Sequence, residues 1–179
     1  MAKKTIKKII FITIFLMLII VFIKGLITNY KIEKMRSEET RIEFFETNRD
    51  IFEKIKSFMV KKENIISIEK KCTGSKKDKI KGIEICYNED YKEDDNSLVE
   101  LEEIIDLYNK LDIIKIEKKE NIIIFLMLKI EPKSITYQTC VNPIECSLEE
   151  FEYEYKGKIY ILNKINNEWF TSFRDVPSI

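Results

Sequence analysis

The 179-residue chain contains no histidine, only four glycines and only three prolines. Without histidine there is no Ser-His-Asp or Cys-His catalysis, no His-ligated zinc or haem, and no imidazole pH switch. Gly25, Gly74, Gly82 and Gly157 are too few and too scattered to build a phosphate-cradling loop. The four cysteines form no CxxC pair, so the usual metal knuckle has no ligand spacing. No cofactor signature is present. Basic and acidic residues balance at 31 each, which gives no electrostatic reason to bind nucleic acid.

What the sequence does have is an apolar run near its start. Residues 9–23 read IIFITIFLMLIIVFI, interrupted only by Thr13. Fifteen helical residues rise about 22 Å, and extending to Ile27 gives about 28 Å against a hydrocarbon core of about 30 Å. Lys24 falls at the end of that span, where its ammonium can snorkel into the headgroups. Residues 9–27 are therefore read as a transmembrane anchor in contact with the lipid bilayer. The rival reading is a cleaved signal peptide. Cutting after Gly25 would put Ile23 at −3, where a small residue is wanted, and no cysteine follows the run to carry a lipid. Lys3, Lys4, Lys7 and Lys8 crowd the first eight residues, against Lys24, Lys31, Lys34 and Arg36 on the other flank. A tail so densely charged is costly to translocate, whereas a long C-terminal domain crosses largely regardless of charge. The expectation is a short cytoplasmic tail (1–8), the anchor (9–27), a stalk (28–43) and an extracytoplasmic domain (44–179).

Setting aside Lys3, Lys4, Lys7, Lys8 and Lys24 leaves 26 basic against 31 acidic residues beyond the span. Phe44, Phe45, Ile51, Phe52, Ile55, Phe58 and Met59 recur at helical spacing and predict an amphipathic helix over about 41–62. Alternation at Ile66 and Ile68, then IEICY at 83–87, predicts a hairpin of 65–72 with 80–87 around the basic, turn-rich TGSKKDKIKG. Ser97 and Glu100 match a capping box that opens a second helix to about Leu111. Residues 113–117, 121–130, 134–140, 158–165 and 168–174 read as antiparallel strands, with Asn166-Asn167 as a two-residue turn. The fold class expected is α+β: a transmembrane helix, then two amphipathic helices on one face of an antiparallel, meander-type sheet.

Cys72, Cys86, Cys140 and Cys146 all lie beyond the span, where an oxidising compartment permits bridges. Of three possible connectivities, the local one pairs Cys72 with Cys86 across the hairpin and Cys140 with Cys146 around Asn142-Pro143; four free thiols are the alternative. The acidic loop Glu89–Asp95 lacks the ligand order and central glycine of a calcium loop and reads as solvated. FEYEY (151–155) alternates aromatics with Glu152 and Glu154. That is a two-faced strand and also a candidate acidic surface for a basic protein partner. Trp169, beside Phe170 in the last hairpin, reads as core or as a rim anchor of such an interaction surface.

The segments SITYQT and KIYILNKINNEWFTSF, with Ile135, Tyr137, Asn167, Trp169 and Phe170, resemble small uncharacterised membrane-tethered or exported α+β proteins of low-GC Gram-positive bacteria. The resemblance covers about 44–173, with Ser134 where those proteins carry a glycine. It implies a fold and a location but no activity, cofactor or catalytic residue. The function expected is non-enzymatic: a membrane-anchored domain that works by protein contact, with no catalytic, cofactor or metal residues assigned. Two alternatives are an immunity or inhibitor protein against a secreted toxin and a small carboxylate-dependent envelope hydrolase.

Overall fold

A computed structural model describes residues 2–74, 76–89, 98–119, 121–130, 133–140, 151–155 and 158–175. The chain divides into two compact units, Met1–Ser37 and Glu38–Ile179.

The first unit is a single helix, α1 (Ala2–Lys34). Its stretch Ile10–Lys31 is 22 residues long, apolar enough to cross a membrane, and not buried anywhere within the protein. At 1.5 Å per residue it rises about 33 Å, the thickness of a hydrocarbon core. The apolar helix runs four residues past the expected end at Ile27, because Thr28, Asn29 and Tyr30 add no charge. Thr28 donates its hydroxyl to the Lys24 carbonyl at 2.8 Å and so needs no water.

The second unit begins at α2 (Glu38–Thr47), six residues before the expected boundary at 44. Its Arg41 and Phe45 are buried, so this turn belongs to the folded body. The expected 41–62 helix is broken into α2 and α3 (Arg49–Lys61). Asn48 makes the break: its side-chain amide donates to the Phe44 carbonyl at 2.8 Å. That local bond competes with helix continuation, while the Asn48 carbonyl accepts from Ile51 and Phe52 to start the next helix.

There follow β1 (Ile65–Glu69), β2 (Lys77–Ile80), β3 (Ile83–Tyr87), α4 (Leu98–Lys110), β4 (Lys115–Lys119), β5 (Ile122–Ile130), β6 (Lys133–Cys140), β7 (Phe151–Tyr155), β8 (Lys158–Lys164) and β9 (Trp169–Asp175). The strands pair antiparallel in the order β2-β3-β1-β4-β5-β6-β9-β8-β7. This is the expected α+β class, with three helices on the sheet because the first is split. The sheet order departs from sequence order twice. β2, which lies between β1 and β3 in the chain, sits outside β3 at the sheet's edge while β3 pairs with β1, and β9 returns to lie beside β6. The last turn also differs from the two-residue hairpin expected. Ile165–Glu168 form a four-residue connection in which Asn166 Oδ1 accepts the N–H groups of Glu168 and Trp169 at 2.9 and 3.0 Å. The capping residue Ser97 lies outside the described residues.

Helices and sheet meet through aromatic rings. Phe45 and Phe52 pack on Tyr137 and Trp169, with ring centroids 4.9–6.2 Å apart, and Phe52 also meets Phe125 edge-on at 5.3 Å. All five rings are fully buried. Polar tips within this core find partners. Tyr137 Oη donates to the Arg41 carbonyl at 2.9 Å, and Trp169 Nε1 donates to Glu53 Oε1 at 2.7 Å. Burial raises the pKa of Tyr137 well above an ordinary phenol and lowers that of Arg41. Lys118 Nζ donates to the carbonyls of Met59, Lys62 and Glu63, each at 3.0 Å, placing a cation on the negative end of α3.

Phe52 meets Phe45, Phe125, Tyr137 and Trp169, so its removal leaves a cavity at the centre of the cluster. Phe52→Ala is expected to cost about 3–5 kcal/mol, read as a lower urea midpoint for the full chain in detergent. An unchanged midpoint would contradict the packing.

Candidate functional site

Register separates the two faces of the sheet. Ile68, Ile116, Phe125 and Tyr137 follow one another across β1, β4, β5 and β6 on the helix-covered face. The opposite face carries Glu69, Lys115 and Leu126 in one row and Ser67, Glu117 and Ile124 in the next. Here Lys115 lies 3.4 Å from Glu69 and 3.2 Å from Glu117, and Lys119 lies 3.8 Å from Glu117. Burial disfavours the Lys115 charge, but Glu117 and Glu69 outweigh it and raise its pKa. Beside this row Ile122, Ile124 and Leu126 are half-buried. The second face is therefore a mixed surface of fixed, mutually paired charges and aliphatic side chains.

At the β2 edge this face ends in a clamped hairpin. Lys81 and Gly82 both have positive φ, 48° and 83°, the type I′ pattern that joins two twisted strands. A disulfide joins Cys72, in the connection after β1, to Cys86 on β3, with Cα atoms 6.0 Å apart. Glu84, two residues before Cys86, holds the same connection a second time. Its carboxylate accepts the Cys72 N–H at 2.8 Å and pairs with Lys77 Nζ at 3.0 Å. The backbone N–H and then Lys77 hold the Glu84 pKa below the ordinary glutamate value. Glu69 Oε lies within 4.8 Å of both sulfurs, a grouping that could hold a metal. As a disulfide, however, the sulfurs have no thiolate to donate.

The expected site residues separate as follows. Cys72 and Cys86 are joined as the local pairing requires. Cys140 is also disulfide-bonded; Cys146 and the acidic positions from Asp90 to Asp95 lie outside the described residues. Glu152 and Glu154 fall on β7, a strand at the end of the sheet order, opposite Ile161 and Ile159 of β8; their side chains are outside those described. Trp169 is corrected as a surface candidate. It is 0% exposed, packed among Phe45, Phe52 and Phe125, with Lys56 Nζ 5.8 Å from its ring centroid. Its alternation partners on β9 put it on the helix-covered face, so the core reading holds and the rim reading does not. Sequence reasoning missed Glu84, Lys118 and Arg41, whose roles depend on partners distant in sequence. Only Glu84 left a signal, as the one acidic residue of an otherwise apolar strand.

Comparison with family models, curated proteins and solved structures finds no match.

Two outcomes test the clamp. The Cys72–Cys86 bridge, at a sequence separation of 14, closes a loop whose entropy is worth about 3 kcal/mol. The double variant Cys72→Ser, Cys86→Ser is expected to unfold at correspondingly lower urea, and an unchanged midpoint would contradict the bridge. The Glu84 pKa is depressed on folding, so its contribution is present above the unfolded carboxyl pKa and lost as pH falls through the folded one. The stability gap between wild type and Glu84→Gln is therefore expected to shrink on titration from neutral to strongly acid pH. A gap that stays constant would remove Glu84 from the clamp.

Proposed function

We propose that the chain is a single-pass membrane protein that presents a non-enzymatic interaction domain outside the cytoplasm. Its N-terminal helix is read as a retained anchor and its Lys-rich first residues as cytoplasmic. The observation that carries this reading is the pairing of two features in one chain: a 22-residue apolar helix with nothing buried against it and a following domain closed by a disulfide. The helix supports export or anchoring. The disulfide supports an oxidising compartment for the domain. Lys3, Lys4, Lys7 and Lys8 support retention of the N-terminal side. The resemblance carried by SITYQT and NNEWFTSF points to the same location.

A protein partner is favoured by the part of the second sheet face on β1, β4 and β5 where Glu69, Lys115, Glu117, Ile122, Ile124 and Leu126 are half-exposed. Its paired charges fix a pattern at low conformational cost, and the aliphatic row of Ile122, Ile124 and Leu126 supplies area to bury. Protease added to intact cells, compared with lysed cells, tests the topology. The account expects the Glu38–Ile179 unit to be digested from outside while a membrane-embedded fragment carrying α1 survives. Protection of the whole domain until lysis would overturn it.

A further inference from the structure

The clamped hairpin has a charge unlike the rest of the domain. Residues 70–86 hold six lysines, Lys70, Lys71, Lys76, Lys77, Lys79 and Lys81, against only Asp78 and Glu84, although acidic residues outnumber basic ones beyond the apolar run. All six lysines are exposed. Three have local partners: Lys77 pairs with Glu84, Lys81 with Asp106 at 2.7 Å, and Lys76 donates to the Glu89 carbonyl. Lys70 and Lys71 have no ion pair among the described residues, and Lys79 has only a longer-range attraction to Glu84.

The backbone that carries these charges is held in place. The disulfide to Cys86 and the Glu84 carboxylate, both from β3, fix the connection at Cys72. The hairpin therefore presents its lysines without first having to order a loop. β2 is also the terminal strand of the sheet, so the patch lies along an edge rather than within a covered face.

A concentrated cationic edge on a net acidic domain selects a polyanion. Which one follows from the length of the tether. Six residues, 32–37, and so seven Cα–Cα steps separate Lys31, the end of the apolar stretch, from Glu38, the start of the domain. Even fully extended they span no more than about 25 Å. A domain so tethered meets the headgroup layer at a high effective concentration, and clustered lysines are attracted to anionic headgroups within a Debye length of that surface. We propose that the disulfide-clamped β2 edge docks onto the anionic lipid headgroups of the bilayer that holds α1. This rests on the anchor reading above. Docking would turn the β2 end of the sheet toward the membrane and leave the remaining surface for a partner.

The test uses the full chain reconstituted into vesicles of phosphatidylcholine alone or mixed with phosphatidylglycerol. Lysines are labelled with a membrane-impermeant amine reagent and read by peptide mass spectrometry, normalised to Lys54 and Lys61 of α3. The expected result is a several-fold drop in labelling of Lys70, Lys71, Lys79 and Lys81 in the anionic vesicles, reversed by raised salt. The triple variant Lys70→Gln, Lys71→Gln, Lys79→Gln removes charges with no ion pair among the described residues and is expected to restore Lys81 labelling while the fold persists. Equal labelling in both vesicle types, with the chain still floating with them, overturns the docking alone. A chain that fails to float with either overturns the anchor reading and the docking with it. Protection produced by soluble polyglutamate but not by anionic vesicles also overturns lipid docking, in favour of an acidic protein partner.

Discussion

Water cannot cover the Ile10–Lys31 helix without a large hydrophobic cost, and the stretch is not buried among the described residues. Apolar all round, it has no polar stripe to turn outward and no seam to bury against a neighbouring helix. A bilayer meets this constraint in one step. The second unit has a core of its own. That core holds five buried aromatic rings where α2 and α3 cross β5, β6 and β9. Their polar tips reach Arg41 and Glu53, so burial of the large rings leaves neither the phenol nor the indole without a partner.

The sheet divides labour between its faces. One is committed to the helices, and even its charged member, Lys118, is turned to use by bonding the last carbonyls of α3. The other keeps its charges in a row of short pairs and ends in a hairpin that is held covalently and by Glu84. Charge on the first face bonds the end of α3; charge on the second is held in pairs along the sheet. Trp169 is likewise committed to the first face. Its indole completes the helix-sheet contact, and a ring so enclosed can reach a partner only if the core opens.

Much of this was legible in the residues. The apolar run, the helical period from Phe44 to Met59, the strand at 121–130 and the local Cys72–Cys86 pairing each follow from short-range pattern, and the fold confirms them. The departures have physical causes that pattern cannot carry. Asn48 splits a helix through one side-chain bond, which hydropathy does not register. β2 is four residues, three of them charged, and looks like loop because its stability comes from pairing with β3. Arg41 reads as stalk because its burial depends on Asn163 and Phe173, more than a hundred positions away. The return of β9 beside β6 is likewise a long-range choice. The candidate site was legible only as a turn-rich, basic stretch; the Glu84 tie that fixes it spans a strand pair and appears only once β1 and β3 are in register.

The account turns on whether the apolar helix stays attached to the domain in the bilayer. Intact-mass measurement of the protein recovered from the membrane fraction tests this most directly. The account predicts a species that retains the Ile10–Lys31 helix together with the Glu38–Ile179 unit and resists extraction by alkaline carbonate. A shorter species that begins beyond that helix and is recovered free in the medium would contradict it.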